Sequence, residues 1–439
     1  MGVKEGDCMA LVSAVFVPHP PIILPEVGRG EEHTIQSTLD AYHHAAKHIQ
    51  HANPETLIII SPHAPFHPQS FTLSIAPTES GDLRRFGAPE VSITVDTDRE
   101  YIDTLAHNGS PLRLTSQAGP LDHGTLIPLY FILTEDFHPR TVRIGLSGTA
   151  REAHMALGQH LVETAEYLNR RIAIVASGDL SHRLEPDGPY GYDPSGPRFD
   201  AQVMRTLQHN DFDTLAHLDP SLCEEAGECG YRSLLILGGA LKKVPMSAHV
   251  LSYEGPFGVG YGVVTFTPHD PLVHWARSVI TAHVNGDAVD ENQGKHPDLR
   301  HYRAGVFVSL HRQGQLRGCI GTLSPTRPNL TEEIRHNAIS ASSSDPRFYP
   351  VIAEELEDLD ISVDVLGTPQ PIHSQAELDV KRYGVIVSCS GRRGVLLPDI
   401  DGVDTVDEQV HIALRKAGID PDEAYTLERF EVVRHHDPV

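Results

Sequence analysis

Two histidines follow short apolar segments that have the composition of buried strands. Residues 56–60 are β-branched or leucine and lead into Ser61-Pro62-His63, while the apolar residues 14–17 lead into Pro18-His19. Open α/β sheets bind their ligands just beyond the carboxyl ends of the strands. The pattern therefore predicts that His19 and His63 offer two imidazoles to one crevice.

A carboxylate in a similar position completes a candidate metal site. Glu254 follows a predicted strand at residues 248–253 and begins a glycine-rich loop. Two imidazoles and one carboxylate on one face are the ligand set with which non-haem Fe(II) oxygenases hold iron while leaving positions open for substrate and O2. We therefore predict a metal site formed by His19, His63 and Glu254, with Fe(II) as the favoured ion and zinc as the alternative.

The overall composition narrows the classes of partner. The chain has 439 residues and a formal net charge of −24. A protein held electrostatically on nucleic acid or on an anionic membrane needs a basic surface. The charge therefore argues against both kinds of partner.

No feature of the sequence predicts a membrane or export location. No apolar run approaches the roughly 20 residues that span a bilayer, and the N-terminus lacks a basic region followed by an apolar core. The five cysteines are few, odd in number and scattered, which favours free thiols. We expect a cytoplasmic protein.

The order of the predicted elements indicates two domains. Strand-like and helix-like segments alternate over residues 1–270, which predicts an α/β sandwich with a mixed sheet. Residues 271–439 begin again with a helix and continue as a smaller α+β domain. A segment at 186–197 is rich in Gly, Pro, Asp and Tyr, so we expect a loop there that covers the crevice as a lid.

Residues 10–268 resemble a known enzyme family. The resemblance lies in the segments Pro18-His19-Pro20-Pro21, Ser61-Pro62-His63-Ala64-Pro65, Leu121-Asp122-His123-Gly124, Gly178-Asp179-Leu180-Ser181-His182 and 253–261. These segments are similar to the catalytic subunit (LigB type) of class III extradiol ring-cleavage dioxygenases. The resemblance implies that His19, His63 and Glu254 are the metal ligands.

The same resemblance implies roles for two further histidines. His182 matches the family's acid/base beside the bound catecholate, and His123 matches a second active-site histidine. Ring cleavage requires a base for a catechol proton and an acid to return one, and a pKa near 7 suits both roles. Asp179, in the same segment as His182, is an additional candidate.

The region also resembles Memo-like proteins, which share this fold. The resemblance is closest at Glu228-Cys229-Gly230, just before an apolar helix. In Memo-like proteins a cysteine at the matching place joins two histidines at the metal. Cys229 is thus open to three interpretations, as a ligand, a neighbouring redox thiol or a buried packing residue.

The second domain resembles the AMMECR domain. The resemblance covers residues 272–436 and includes the segment Leu316-Arg317-Gly318-Cys319-Ile320-Gly321. Glycines around Arg317 and Cys319 allow either side chain to approach a ligand, although a bulged strand with a buried cysteine fits equally well. Fusion of the two families resembles the AmmeMemoRadiSam system, which implies a radical S-adenosylmethionine protein as a partner.

Three functions are compatible with these residues. The favoured hypothesis is a dioxygenase that opens or oxidises a catechol-like small aromatic substrate with O2. The second is a zinc or iron hydrolase or isomerase that works in a modification pathway with the radical enzyme, and the third is a non-catalytic module. A homo-oligomer is compatible with all three.

Overall fold

A computed structural model describes residues 10–107, 113–116, 119–289, 302–400 and 402–436. The chain divides into two compact units between Pro268 and His269. The sequence placed this division between residues 270 and 271. Among the helices in the described ranges, none combines the length and the apolar character that a transmembrane span requires.

The first unit alternates strands and helices. Its strands are β1 (Leu11–Val17), β2 (Thr56–Ser61), β3 (Phe71–Leu73), β4 (Thr78–Leu83), β5 (Ala88–Asp96), β6 (Leu114–Ser116), β7 (Arg140–Gly145), β8 (Ile172–Ser177), β9 (Met246–Glu254) and β10 (Tyr261–Pro268). Its helices are α1 (Pro25–Gly28), α2 (Gln36–Ala52), α3 (Arg99–His107), α4 (His123–Ile132), α5 (Arg151–Leu168), α6 (Ser195–Gln208), α7 (Phe212–Ala216), α8 (Pro220–Ala226) and α9 (Tyr231–Leu241).

Eight of these strands form one mixed sheet in the order β6-β3-β7-β2-β8-β1-β10-β9. The central strands β7, β2, β8 and β1 are parallel, whereas β10 runs antiparallel to β1 and β9 runs antiparallel to β10. The carboxyl ends of β1, β2 and β8 therefore lie together at one edge of the sheet. Strands β4 and β5 form a separate antiparallel pair.

Both faces of the large sheet are covered. Phe16 of β1 and Ile58 of β2 belong to a core with α3, α5, α6 and α9. Their neighbours Val15 and Leu57 belong to a core on the opposite face with α2 and α4. Because successive strand residues point to opposite faces, the apolar runs of β1 and β2 fill both cores. The predicted α/β sandwich with a mixed sheet is confirmed.

Several elements of this unit were not predicted in this form, among them β4, α8 and the start of α4. The antiparallel pair β4–β5 contains a strand that sequence analysis did not assign, and α8 lay in a segment without a helix prediction. The sequence predicts a helix over residues 126–132, but α4 already begins at His123. The Asp122 side chain accepts a hydrogen bond from the backbone N–H of Thr125 and caps the helix there. His123 is therefore the first residue of a helix.

The second unit is an antiparallel sheet with helices on it, so the predicted α+β class is also confirmed. Its helices are α10 (Pro271–Asn285), α11 (Leu330–Ser343) and α12 (Val406–Ala417). Its strands are β11 (Val306–Arg312), β12 (Gln315–Gly321), β13 (Leu359–Leu366), β14 (Gln370–Ile372), β15 (Tyr383–Cys389), β16 (Arg392–Leu396) and β17 (Thr426–His436). The sheet order is β12-β11-β13-β17-β15-β16, and β14 pairs with β17. Helices α10 and α11 cover β11 and β13, while α12 covers β15 and β16.

Helices α5 and α9 of the first unit meet through glycine. A Cβ atom on Gly158 would overlap the backbone carbonyl of Ile236, and one on Gly239 would overlap the carbonyl of Met155. The two helix backbones thus pack against each other with no side chain between them. This contact holds α9, and with it the loop before α9, against the sheet.

We predict that Gly158→Ala destabilises the first unit by about 1–3 kcal/mol, because the added methyl group forces α5 and α9 apart. Glu166→Ala is the matched control, since Glu166 is exposed on the same helix and alanine favours helix formation. Denaturant unfolding followed by circular dichroism measures both variants. Equal stability of Gly158→Ala and the parent protein would contradict the close packing described here.

Candidate metal centre

His19 and His63 meet at the carboxyl ends of β1 and β2. Their Nε2 atoms lie 3.0 Å apart, and the ring planes are nearly perpendicular. His19 is buried, and its Nδ1 lies 2.9 Å from the Oγ of Ser177 at the end of β8. A partner on Nδ1 fixes the ring so that Nε2 faces the site. The predicted convergence of the two loops is therefore present in the structure.

Burial keeps His19 uncharged. It lowers the pKa of His19 to about 3, and the nearby His63 contributes to the same shift. A neutral imidazole is the form that donates a lone pair to a metal ion. The electrostatic surroundings of His19 thus suit coordination and do not suit a general acid.

Cys229 is the third potential ligand at this point. Its Sγ lies 3.6 Å from the Nε2 of His19. The possible ligand atoms of His19, His63 and Cys229 all lie within 4.8 Å of one another, and Asp179, His182 and Cys229 form a second such group. Burial and the Asp179 carboxylate raise the pKa of the Cys229 thiol, so formation of a thiolate there calls for a neighbouring cation.

A close backbone contact places Cys229 in the site. A Cβ atom on Gly178, which follows β8, would overlap the Cα of Gly230. Next to this contact the backbone N–H of Asp179 donates to the Sγ of Cys229 at 3.3 Å, and the N–H of Cys229 donates to the carbonyl of Asp179 at 3.4 Å. The loop before α9 can approach the end of β8 only because both glycines lack side chains.

Glu254 is not brought to this group. Its carboxylate accepts hydrogen bonds from the backbone N–H and the hydroxyl of Thr38, both at 2.6 Å. Thr38 is the third residue of α2, where backbone N–H groups lack acceptors within the helix, and the residue before α2, Ile35, provides no side-chain cap. The Glu254 carboxylate therefore caps α2, a position that the helix dipole also favours.

The position of β9 explains this difference from the sequence-based expectation. Strand β9 is the outermost strand, separated from β1 by β10. At about 4.8 Å per strand, its end lies about 10 Å from the end of β1. The sequence shows that Glu254 follows a strand but does not show which position that strand takes in the sheet.

His123 lies against both histidines. Its ring stacks on His63 with centroids 4.2 Å apart, and it meets Phe86 at 5.1 Å. Burial lowers the pKa of His123 to about 3, and the proximity of His19 and His63 adds to this shift. His123 is therefore a neutral side chain that can accept or donate a hydrogen bond.

The carboxylate of Asp122 connects the loops that carry His63 and His123. It accepts a hydrogen bond from the Oγ of Ser61 at 2.5 Å, and it caps α4 through Thr125. The buried Arg143 lies 3.7 Å from the same carboxylate and also pairs with Glu79 at 2.5 Å. This group of buried charges fixes the end of β2 relative to the start of α4.

His182 has a free ring nitrogen. Its Nε2 is buried and has no hydrogen-bond partner among the described residues. Burial lowers the pKa of His182, although the Asp179 carboxylate opposes this shift. Burial also raises the pKa of Asp179 to about 6, while a hydrogen bond from the backbone N–H of His19 lowers it.

A cavity of about 660 Å³ opens over these residues. Four histidines line it, namely His19, His63, His123 and His182, together with the acidic residues Asp179, Glu185 and Asp187. Aromatic side chains complete its wall, namely Phe86, Tyr190 and Phe257 from three connecting segments and Tyr261 from the start of β10. Tyr190 belongs to the segment predicted as a lid, and its ring lies 5.1 Å from that of His182.

Three residues that shape this site, Ser177, Asp122 and Phe86, were not predicted as site residues from the sequence. Asp122 lies in the segment 121–124 and Ser177 directly precedes the segment 178–182. An aspartate just before an apolar helical run is a recognisable N-cap signal, so the capping role of Asp122 was open to prediction. Phe86 follows β4, a strand that was not predicted, so no signal was available for it.

Arg317 and Cys319 lie in the second unit. The Arg317 guanidinium forms two 2.9 Å hydrogen bonds with Glu355 and donates to the backbone carbonyl of Tyr349 at 2.8 Å. The backbone N–H of Cys319 donates to Asp345 at 2.9 Å. Both residues thus have structural contacts within their own unit, and a role in ligand binding stays a prediction.

Comparison with known proteins divides the chain into the same two parts as the structure. The family model described as the catalytic LigB subunit of aromatic ring-opening dioxygenase matches residues 13–264, and the AMMECR1 model matches residues 273–435. Protein CA_C1420 of Clostridium acetobutylicum is 38% identical over 98% of this chain and 100% of its own length.

Two further relatives cover a smaller part of the chain. A protein of Thermotoga maritima is 51% identical over 38% of this chain and 97% of its own length. The crystal structure of the uncharacterized protein PH0010 from Pyrococcus horikoshii is 30% identical, covers 38% of this chain and 95% of that one, and has a TM-score of 0.35. The fold, the match over residues 13–264 and the full-length relative lead to one conclusion: this chain belongs to the family of the catalytic LigB subunit of aromatic ring-opening dioxygenases, and it carries an AMMECR1 domain after the LigB domain.

Proposed function

We propose that the first unit is a metal-dependent enzyme that oxidises a catechol-like small aromatic molecule with O2, using Fe(II) held by His19, His63 and Cys229. One observation carries this proposal. Two imidazole nitrogens and a thiol sulfur converge, and the two imidazoles line a cavity that also contains aromatic side chains and two further histidines. The LigB family and its dioxygenase-like fold support the same class of reaction.

The donor atoms fit a metal ion. Two metal–nitrogen bonds of about 2.1 Å at angles of 90–110° put the nitrogens about 3.0–3.4 Å apart, and a nitrogen and a thiolate sulfur are then about 3.1–3.6 Å apart. The observed distances are 3.0 Å between the two Nε2 atoms and 3.6 Å from Sγ to the Nε2 of His19. When bound, Fe(II) would supply a Lewis acid for a phenolic oxygen and electrons for O2.

The other side chains would bind and orient the substrate. The Nε2 of His182, which lacks a partner in the described part of the chain, accepts the proton of a phenolic hydroxyl and returns it later in the reaction. His123, neutral and stacked on His63, donates a hydrogen bond to an oxygen of the bound molecule. Phe86 and Tyr190 contact the faces of the aromatic ring and exclude water.

A zinc hydrolase or isomerase is the second candidate. A thiolate and two imidazoles suit zinc as well as iron, and the thiol of Cys229 is the observation that favours this reading. The measurement that separates the two functions is uptake of O2 by anaerobically purified, iron-loaded protein when catechols are added. Substrate conversion without O2 uptake would support the zinc hydrolase or isomerase.

We predict that Cys229→Ser lowers the affinity for the metal at least about tenfold, because it removes a ligand rather than a supporting group. Glu254→Gln is the matched control. It should keep the metal and lose about 1 kcal/mol of stability through a weaker cap on α2. Mass spectrometry of anaerobically purified protein gives metal per chain, and chelator competition gives the affinity. Loss of the metal in Glu254→Gln with retention in Cys229→Ser would restore Glu254 as the ligand.

The pH profile tests the role of His182. Because burial lowers its pKa below 6.5, the ring stays neutral, and able to accept a proton, as the pH falls through 6.5. We predict that the acid limb of kcat lies below pH 6.5, and that His182→Gln lowers kcat by about 10²–10⁴ and removes this limb.

His249→Gln, which changes an exposed histidine on β9, is the control for this experiment and should leave the profile unchanged. An acid limb that persists unaltered in His182→Gln would assign the base to another group.

A further inference from the structure

The second unit contains a cavity at a point where its longest strand changes partners. Residues 427–429 of β17 pair with β14, and residues 432–436 pair with β13. Between these two stretches of β17, the segment that connects β13 to β14 leaves the sheet. On the other edge of β17, strand β15 begins at Tyr383, which pairs with Glu431. The result is a cavity of about 500 Å³, which lies within the size range of small-molecule sites.

The wall of this cavity combines aromatic rings with two arginines. The rings are Tyr302, Tyr383 and Phe430, and the cations are Arg382 and Arg429. The Arg382 guanidinium lies 5.0 Å from the ring centroid of Tyr383, and that of Arg429 lies 4.5 Å from it. Stacking on Tyr383 holds both guanidiniums while leaving N–H groups at their edges for other partners.

The two arginines differ in how their charge is balanced. Arg382 forms an ion pair with Glu431 at 2.8 Å. Arg429 donates a hydrogen bond to the backbone carbonyl of Glu377 at 2.6 Å. Its Nε is buried and has no partner among the described residues, and within the described ranges no carboxylate lies at ion-pair distance from the guanidinium. The Glu377 carboxylate instead accepts from the backbone N–H groups of His373 and Ser374.

Arg429 interacts electrostatically with the Glu377 carboxylate but forms no ion pair among the described residues, and such a cation in a cavity wall favours an anionic ligand. Taking a guanidinium partly out of water is costly unless charge-assisted hydrogen bonds replace its hydration. The planar edge of arginine matches the two oxygens of a carboxylate or phosphate. The neighbouring surfaces of Tyr302, Phe430 and Val365 are apolar and suit the body of an organic molecule.

We propose that this cavity binds a small organic anion, whose carboxylate or phosphate contacts Arg429 and whose apolar body lies against Tyr302 and Phe430. The site belongs to the AMMECR1 domain and does not depend on the metal centre of the first unit. It would give this domain a ligand-binding function of its own.

The test is isothermal titration of the full-length protein with benzoate, phenyl phosphate, inorganic phosphate and the uncharged benzyl alcohol. We expect one or both anions to bind and benzyl alcohol not to bind. Stronger binding of benzoate would identify carboxylates as the ligand class, and stronger binding of phenyl phosphate would identify phosphates. Binding of inorganic phosphate alone would mean that the apolar wall plays no part and would overturn the proposal.

Variants locate the binding site. Arg429→Met should weaken anion binding at least tenfold, whereas Arg393→Met, which removes an exposed arginine that pairs with Glu428 on β17, should not. Unchanged binding in Arg429→Met, or no binding of any organic anion to the parent protein, would contradict the proposal.

A second pair of variants covers the case in which Arg429→Met fails to fold. Val433 lines the cavity and is 45% exposed, so a polar side chain there is compatible with folding. Val433→Glu should repel the anions and weaken their binding, and Val433→Gln, of nearly equal size, should weaken it less. Equal affinities in these two variants would show that the anion does not bind in this cavity.

Discussion

The position of β8 between β1 and β2 is the constraint on which the metal centre depends. Parallel pairing brings the carboxyl ends of the three strands to one edge, but His19 and His63 follow two strands that are not neighbours. The side chains therefore meet above the end of β8, where Ser177 holds the ring of His19. A shift of one residue in either pairing would turn a histidine away from its partner.

Buried polar groups around this edge form a connected set. Asp122 bonds to Ser61 and caps α4, and Arg143 joins Asp122 to Glu79. Each of these groups would be costly to bury alone, so each requires the others. The arrangement holds β2, β4, β7 and the start of α4 in a fixed relation and explains how His63 and His123 come to stack.

Sequence reasoning was reliable where a local pattern determines the outcome. Apolar runs that end in proline identified β1 and β2, and the alternation of elements indicated the sandwich. The sequence did not indicate where Glu254 lies, because the order of strands in a sheet depends on contacts between distant parts of the chain. The same carboxylate that could serve a metal caps α2 instead, since an uncapped helix start lies within its reach. For a similar reason the sequence left three interpretations of Cys229 open: its distance from the histidines depends on contacts between distant parts of the chain.

The contact between Gly178 and Gly230 has a consequence for recognising related proteins from sequence. A cysteine before an apolar helix is common, and by itself it says little about coordination. In this fold the thiol reaches the histidines only when neither backbone carries a side chain at the crossing. A search for chains with this donor set should therefore require both glycines along with the cysteine. Relatives that keep the cysteine but have a larger residue at either glycine would hold it too far from the strand ends to share in binding.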